Sequence, residues 1–143
     1  MQNYVVYHAH SDISNVTAGN KADSVTKYED YIKLAKEYGM KALGISEHGS
    51  VLNWMRKKEK IEKAGMKYIH ASEVYLTKEI DLEKGLERDN YHFVLIAKNY
   101  EGVKEINYLM SDKIANNRND GHFYYVPRIT YEELLNTSDN III

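Results

Sequence analysis

Ala42-Leu43-Gly44-Ile45-Ser46-Glu47-His48-Gly49 is the stretch on which the fold turns. Its first five residues are small or apolar and read as a short buried strand. Glu47-His48-Gly49 sits at the carboxyl end of that strand, where a turn former follows two ionisable side chains. A helix is expected directly behind it, from about Val51 to Ala64 and closed by Gly65. The charge run Arg56–Lys60 on that helix reads as a solvated face.

The same strand-then-helix plan extends outward in both directions. Toward the N-terminus, Tyr4-Val5-Val6-Tyr7-His8 is a short β-rich run, followed by a polar loop from Ser11 to Ser24. Thr26-x-x-Glu29 has the form of a capping box. Behind it Tyr28, Tyr31, Ile32, Ala35 and Tyr38 recur at helical spacing as far as Gly39. Toward the C-terminus, Lys67–Ala71 is a third strand leading to Glu73 and Tyr75, and Thr77–Asn90 reads as a loop. Tyr91–Ala97 is a fourth strand, and the helix after it places Val103, Ile106, Leu109 and Met110 on one face. Ser111–Val126 reads as irregular. Thr130-x-x-Glu133 is a second capping box, opening a short helix through Leu135, and Ile141–Ile143 looks like the first half of a buried strand. About four strands with interleaved helices make an α/β fold.

Composition narrows the possible chemistry. The 143 residues suffice for one domain with a core, and 43% hydrophobic with 28% charged residues is a globular balance. Thirteen tyrosines against two phenylalanines place many rings half-buried with a polar tip outward. A net charge of −2 lacks the basic surface of an autonomous nucleic-acid binder, so a DNA substrate requires bound cations or another domain. With no cysteine, any metal must be held by imidazole, carboxylate or amide oxygen. Neither a signal peptide nor a membrane-length apolar run is visible, so a cytoplasmic, non-membrane protein is expected.

The histidines and acids carry the functional signal. His8 and His10 flank Ala9 at the end of the first strand, and residues i and i+2 of an extended chain share a face. Two imidazoles so placed can grip one ion such as zinc, manganese or iron. His48 and Glu73 lie just past the second and third strands, and in a parallel βα arrangement such ends share one rim. His92 fits less well, since it opens its strand. The bland alternative is a set of ordinary structural histidines, and the pattern alone leaves that open. His70 and His122 are read as a histidine packed within or beside its strand and a solvated loop histidine.

The order of the pieces raises the functional reading. His8-Ala9-His10-Ser11 with Ser14, the Glu47-His48-Gly49 strand end, Ser72-Glu73-Val74-Tyr75, Tyr91-His92 running into Ala97-Lys98-Asn99, and Tyr124-Tyr125-Val126-Pro127-Arg128 follow one another at fitting intervals. This series resembles the PHP (polymerase and histidinol phosphatase) domain of the type found in bacterial and phage-borne DNA polymerase III alpha subunits. The resemblance implies a distorted barrel of seven strands with up to three divalent ions at its C-terminal rim. It implies that His8 and His10 hold the first ion and that Glu73 bridges to a second shared with His92. His48 would serve a third, with an acid from the first loop. Where the family commonly has an aspartate, this chain aligns Val16-Thr17-Ala18, so Asp23 is expected to replace it in preference to Asp12. Glu47, in place of the usual aspartate, is expected to support the site without touching the metal.

From the same resemblance, residues 1–143 are expected to be the N-terminal portion of a single PHP domain, truncated before the family's last ligands. The implied role is metal-assisted phosphoester hydrolysis of a 3′–5′ exonuclease kind, or a structural platform, within a replicative polymerase. DNA, other polymerase domains and replisome subunits would then be partners. Self-association through an open sheet edge is a further expectation, with Ile141–Ile143 lacking neighbours. The alternatives are a stand-alone PHP phosphoesterase acting on a small phosphate monoester, and a non-catalytic structural or interaction module. Phe123-Tyr124-Tyr125 reads as core or rim packing in preference to base stacking.

Overall fold

The computed structural model describes residues 4–17, 22–78, 90–115, 122–124 and 126–143. It is a mixed α/β structure in which two sheets meet along one strand line. A 3-10 turn, Asp12–Val16, precedes helix α1 (Tyr28–Glu37) and strand β1 (Ala42–Gly44). Helix α2 (Trp54–Lys63) leads to β2 (Lys67–Ile69), and β3 (Ala71–Thr77) follows after one residue. Strand β4 (Tyr91–Ala97), helix α3 (Tyr100–Ala115), β5 (Phe123–Tyr124), β6 (Val126–Thr130), α4 (Tyr131–Leu135) and β7 (Ile141–Ile142) complete the order.

β1 pairs in parallel with β2, and Val6 adds a parallel bridge to Leu43. The expected first strand is therefore a single bridge, not a regular strand. The larger sheet has the order β5-β6-β3-β4-β7. The two sheets share one register: Ala42 faces Lys67 and His48 faces Glu73, each pairing separated by 25 positions (42 to 67, 48 to 73). The expected third strand is thus a longer line, Lys67 to Thr77, interrupted at His70.

Strand direction departs from the parallel reading. β4 runs antiparallel to β3, with Glu73 opposite Val94 and Tyr75 opposite His92. The beginning of β4 therefore lies beside the end of β3, and His92 belongs to the same rim as the other strand ends. β7 also pairs antiparallel with β4, Ala97 against Ile141, so the apolar tail has a neighbour on one side. That corrects the expectation of an unpaired tail.

Two apolar clusters hold the layers. Tyr28, Ile32 and Ala35 of α1 share a face at i, i+4 and i+7 and pack with Leu43, Ile45 and Ile61 beneath the smaller sheet. Val74, Leu76, Leu95 and Ile129 meet Ile106 and Met110 of α3 beneath the larger one. Of the expected α1 face, Tyr38 instead lies out in solvent at the helix end. α3 continues to Ala115, so Ser111–Ala115 is helical and not irregular. Within the expected Thr77–Asn90 loop, residues 79–89 lie outside the described set.

The two capping boxes differ. Thr130 accepts from the Glu133 backbone N–H while the Glu133 carboxylate returns to the Thr130 N–H, a complete box on α4. At α1 the N-cap residue is Lys27 and no side chain caps the helix. Glu29 instead pairs with Lys60 of α2 at 2.6 Å, which takes away the box's return carboxylate.

Candidate metal centre

β3 places Glu73 where the two sheets join. Its backbone N–H donates to the Glu47 carbonyl, and its carbonyl accepts from Gly49 N–H. Those two bonds lock the His48 segment alongside it. Gly49 has φ +52°, and a Cβ there would lie 3.3 Å from Pro127 and 3.4 Å from the Tyr75 ring, so the turn behind His48 favours glycine. Gly44 serves the first segment: a Cβ would come within 3.0 Å of the Tyr7 Cα, just before His8.

The Glu73 carboxylate is 2% exposed, and four imidazoles surround it. His8 Nε2 and His10 Nε2 each stand 2.7 Å from Oε2 and 3.2 Å from each other. On the other oxygen, His48 Nδ1 lies at 3.1 Å and His92 Nδ1 is in direct contact. Asp23 bridges a further pair, its Oδ2 at 2.9 Å from His10 Nδ1 and its Oδ1 at 3.1 Å from His48 Nε2. The Tyr75 hydroxyl lies 3.1 Å from His48 Nδ1, and its ring packs edge-on against His92, with centroids 4.6 Å apart. Tyr75 and Glu73 share a face of β3 because they are two residues apart.

Among the described residues, three overlapping groups result: His8, His10 and Glu73; His10, Asp23 and His48; and His48, Glu73 and His92. Within each group, ligand atoms lie within 4.8 Å of one another. Ligands bonded at about 2.0–2.1 Å around a tetrahedral ion stand roughly 3.3 Å apart. The separations of 2.7–3.2 Å within the first group are close to that scale. Nitrogen and carboxylate donors without sulfur are the set that zinc, manganese and iron accept. The residues present therefore fit divalent ions.

Electrostatics at the cluster follow from the buried acid. Burial alone would raise the Glu73 carboxyl, but hydrogen bonds to His10, His48 and His8 hold it well below the ordinary carboxylate range. The bond to Glu73 raises the His10 imidazole above its usual value against the pull of burial, and Asp23 adds to the rise. Tyr75 is pushed up by burial and by the two carboxylates.

Other candidates fall outside the cluster. Asp12 lies on the 3-10 turn, and its N–H donates to the Thr26 carbonyl. The Thr17 hydroxyl contacts the His48 and Ser14 carbonyls. Glu47 is fully buried beside the cluster, not in it, and Lys57 joins it from α2 at 2.7 Å. Burial would raise Glu47, but Lys57 and the hydroxyls of Ser11 and Ser14 hold it below its usual value. Lys57 departs from the solvated face expected of Arg56–Lys60, because an uninterrupted charge run carries no mark of its one inward lysine. His70 is buried, consistent with packing beside its strand. His122 is half-buried, with Nε2 3.3 Å from Glu133, and so is not a plain solvated histidine. Tyr125 lies outside the described residues.

The chain matches the PHP domain family over residues 7–143. It is 30% identical to the DNA polymerase III subunit alpha of Aquifex aeolicus (strain VF5), over 99% of this chain and 12% of that protein. Against the subunit of the same name from Borreliella burgdorferi, identity is 30% over 97% of this chain and 11% of the relative. Against that from Helicobacter pylori (strain 26695) it is 29%, over 94% and 10%. The chain thus spans about a tenth of the length of the relatives it matches. No described helix is long and apolar enough to cross a membrane.

Proposed function

This chain belongs to the PHP domain family, and on that premise we propose that it is a metal-binding segment of a DNA polymerase III alpha-type protein whose chemistry is phosphoester hydrolysis. The observation that carries this reading is the convergence of His8, His10, His48 and His92 on the buried Glu73 carboxylate, with Asp23 bridging His10 and His48. In this reading residues 1–143 form the first portion of a PHP domain, part of a distorted seven-stranded barrel.

Glu73 is the hub. Its two oxygens face different histidine pairs, so this one side chain could help hold two ions, and Asp23 with His10 and His48 could hold a third. Zinc, manganese or iron, when bound, supplies Lewis acidity toward a phosphoryl oxygen and lowers the pKa of a water. The chain's own groups do the positioning. Glu73 orients the rings, and the Tyr75 hydroxyl fixes His48 while its ring limits the swing of His92. His8 and His92 are half exposed, so in this reading a polymer end would approach from their side. The substrate proposed is a 3′ end of DNA, reached through the larger polymerase in the cytoplasm, with other polymerase domains and replisome subunits as partners.

Metal analysis of the purified chain tests the binding, with the double variant His8→Ala/His10→Ala as control. The chain should retain zinc, manganese or iron and the variant should lose most of it; a metal-free wild type would end the reading. Hydrolysis is then assayed on single-stranded DNA and on a small phosphate monoester, with this chain and with a longer one covering more of the domain. Metal-dependent shortening of DNA is expected to be feeble or absent with this chain alone and robust with the longer one. A preference for the monoester would favour a stand-alone phosphoesterase. Metal retention without hydrolysis of either would leave a structural platform.

A further inference from the structure

We propose that Lys57 is a positioning residue for the metal centre, acting through the Glu47 carboxylate to set His10 and His48 in register. The inference rests on the metal-centre reading above.

Lys57 is out of character for its helix. Its neighbours Lys58 and Lys60 are about half exposed and pair with surface glutamates, whereas Lys57 is 2% exposed. Long ammonium side chains are almost never buried unless paired, and here the partner is also fully buried. The ammonium donates to Glu47 Oε1 at 2.7 Å.

Glu47 in turn reaches three ligand-bearing segments. Ser11, the residue after His10, donates its backbone N–H to Oε2 at 3.0 Å and its hydroxyl to Oε1 at 2.5 Å. Ser14 donates its hydroxyl to Oε2 at 2.6 Å, and its oxygen accepts the His48 backbone N–H at 3.1 Å. The Glu47 carbonyl accepts from Glu73 N–H at 3.1 Å. His48 follows Glu47 directly in the chain. A shift of this carboxylate would therefore alter the spacing of His10 and His48, whose rings lie 3.9 Å apart with Asp23 between their nitrogens.

Two charges buried together tolerate joint replacement far better than loss of one partner, because the surviving charge is then left uncompensated. That asymmetry separates positioning from ordinary packing. Lys57→Met keeps the length of the side chain and strands the Glu47 charge. The double variant Lys57→Met/Glu47→Gln removes both charges. The glutamine oxygen can accept from Ser11 N–H and Ser14, while its amide donates to the Ser11 hydroxyl.

The test uses the full chain. Zinc chloride is titrated by calorimetry, cobalt(II) chloride reports ligand geometry through its visible absorption, and circular dichroism in chelator reports the metal-free fold. Lys57→Met is expected to fold, to bind zinc about 10–100-fold more weakly, and to show an altered cobalt spectrum. The double variant should recover zinc affinity to within roughly fivefold of wild type, with a wild-type cobalt spectrum. If Lys57→Met does not fold, the double variant decides by the same two measures. Wild-type affinity and spectrum in Lys57→Met, or a double variant that binds no better than the single, overturns the inference while leaving the metal centre standing. A wild-type chain that binds neither zinc nor cobalt overturns both.

Discussion

His70 lies within the strand line that carries Glu73, His10 contacts that line from the rim, and the two meet opposite fates. His10, on the rim side, contacts two carboxylates, and the bond to Glu73 raises its imidazole above the ordinary value. His70, three residues before Glu73, is 3% exposed and has neutral partners. Its Nε2 donates to Asn107 Oδ1 at 3.0 Å, its Nδ1 accepts from the Tyr68 hydroxyl at 2.9 Å, and Trp54 packs edge-on against the ring. Burial, aided by Lys57 and opposed by Asn107, pushes its pKa down to about 4. Neither imidazole differs in itself. Carboxylates within reach put one imidazole in groups that could hold a cation, whereas burial among Tyr68, Asn107 and Trp54, with no described carboxylate in contact, leaves the other a structural post.

The sharpest way to break this contrast is to remove the acid that defines the rim. Glu73→Gln keeps the shape and deletes the charge facing four imidazoles. Metal affinity measured by calorimetry should fall by more than about 100-fold, beyond the loss typical of outer partners. Retained affinity would show that the histidines and Asp23 suffice.

The His70 side of the contrast is read by pH. A histidine whose folded pKa is lowered binds fewer protons folded than unfolded, so stability falls as pH drops from about 6.5 toward 4. The full loss from this group is about 3 kcal/mol, reached below pH 4. Chelator-treated wild type should show this decline in its urea midpoint, and His70→Gln should flatten it. An equal slope in both would assign the decline to other groups.

Asp23→Asn should act more narrowly. Asp23 belongs to one of the three ligand groups, so the variant should lose one ion equivalent, with roughly tenfold weaker binding there, while the other two persist. Loss of all metal would mean that Asp23 organises the whole cluster. Unchanged stoichiometry would return it to a loop role, in which its N–H donates to Asn15.

Much of this arrangement was legible from residue order. The sequence pattern carries the full bounds of β4, and the Thr130 box announces α4 because all of its parts lie within four residues. The Thr26 box misled, because Glu29 found Lys60, 31 positions away, and no local pattern reports a partner at that distance. The strand expected at Tyr4–His8 is reduced to one bridge at Val6, since β propensity does not create a neighbour along the whole run.

Sequence alone determined the candidate donor chemistry: six imidazole and carboxylate side chains that could serve, no thiol, a His-x-His pair on one face, and a PHP-like order of motifs. Side-chain type and short-range periodicity are properties of the chain itself. Tertiary structure alone decided that β4 runs antiparallel, which brings His92, at the start of its strand, opposite Tyr75 and into contact with Glu73. It also decided that Lys57, one lysine in a charged run, turns inward to a buried glutamate. Strand direction and the partner of a buried charge depend on which distant segments pack together, and an alternation of apolar and polar residues reads the same in either direction.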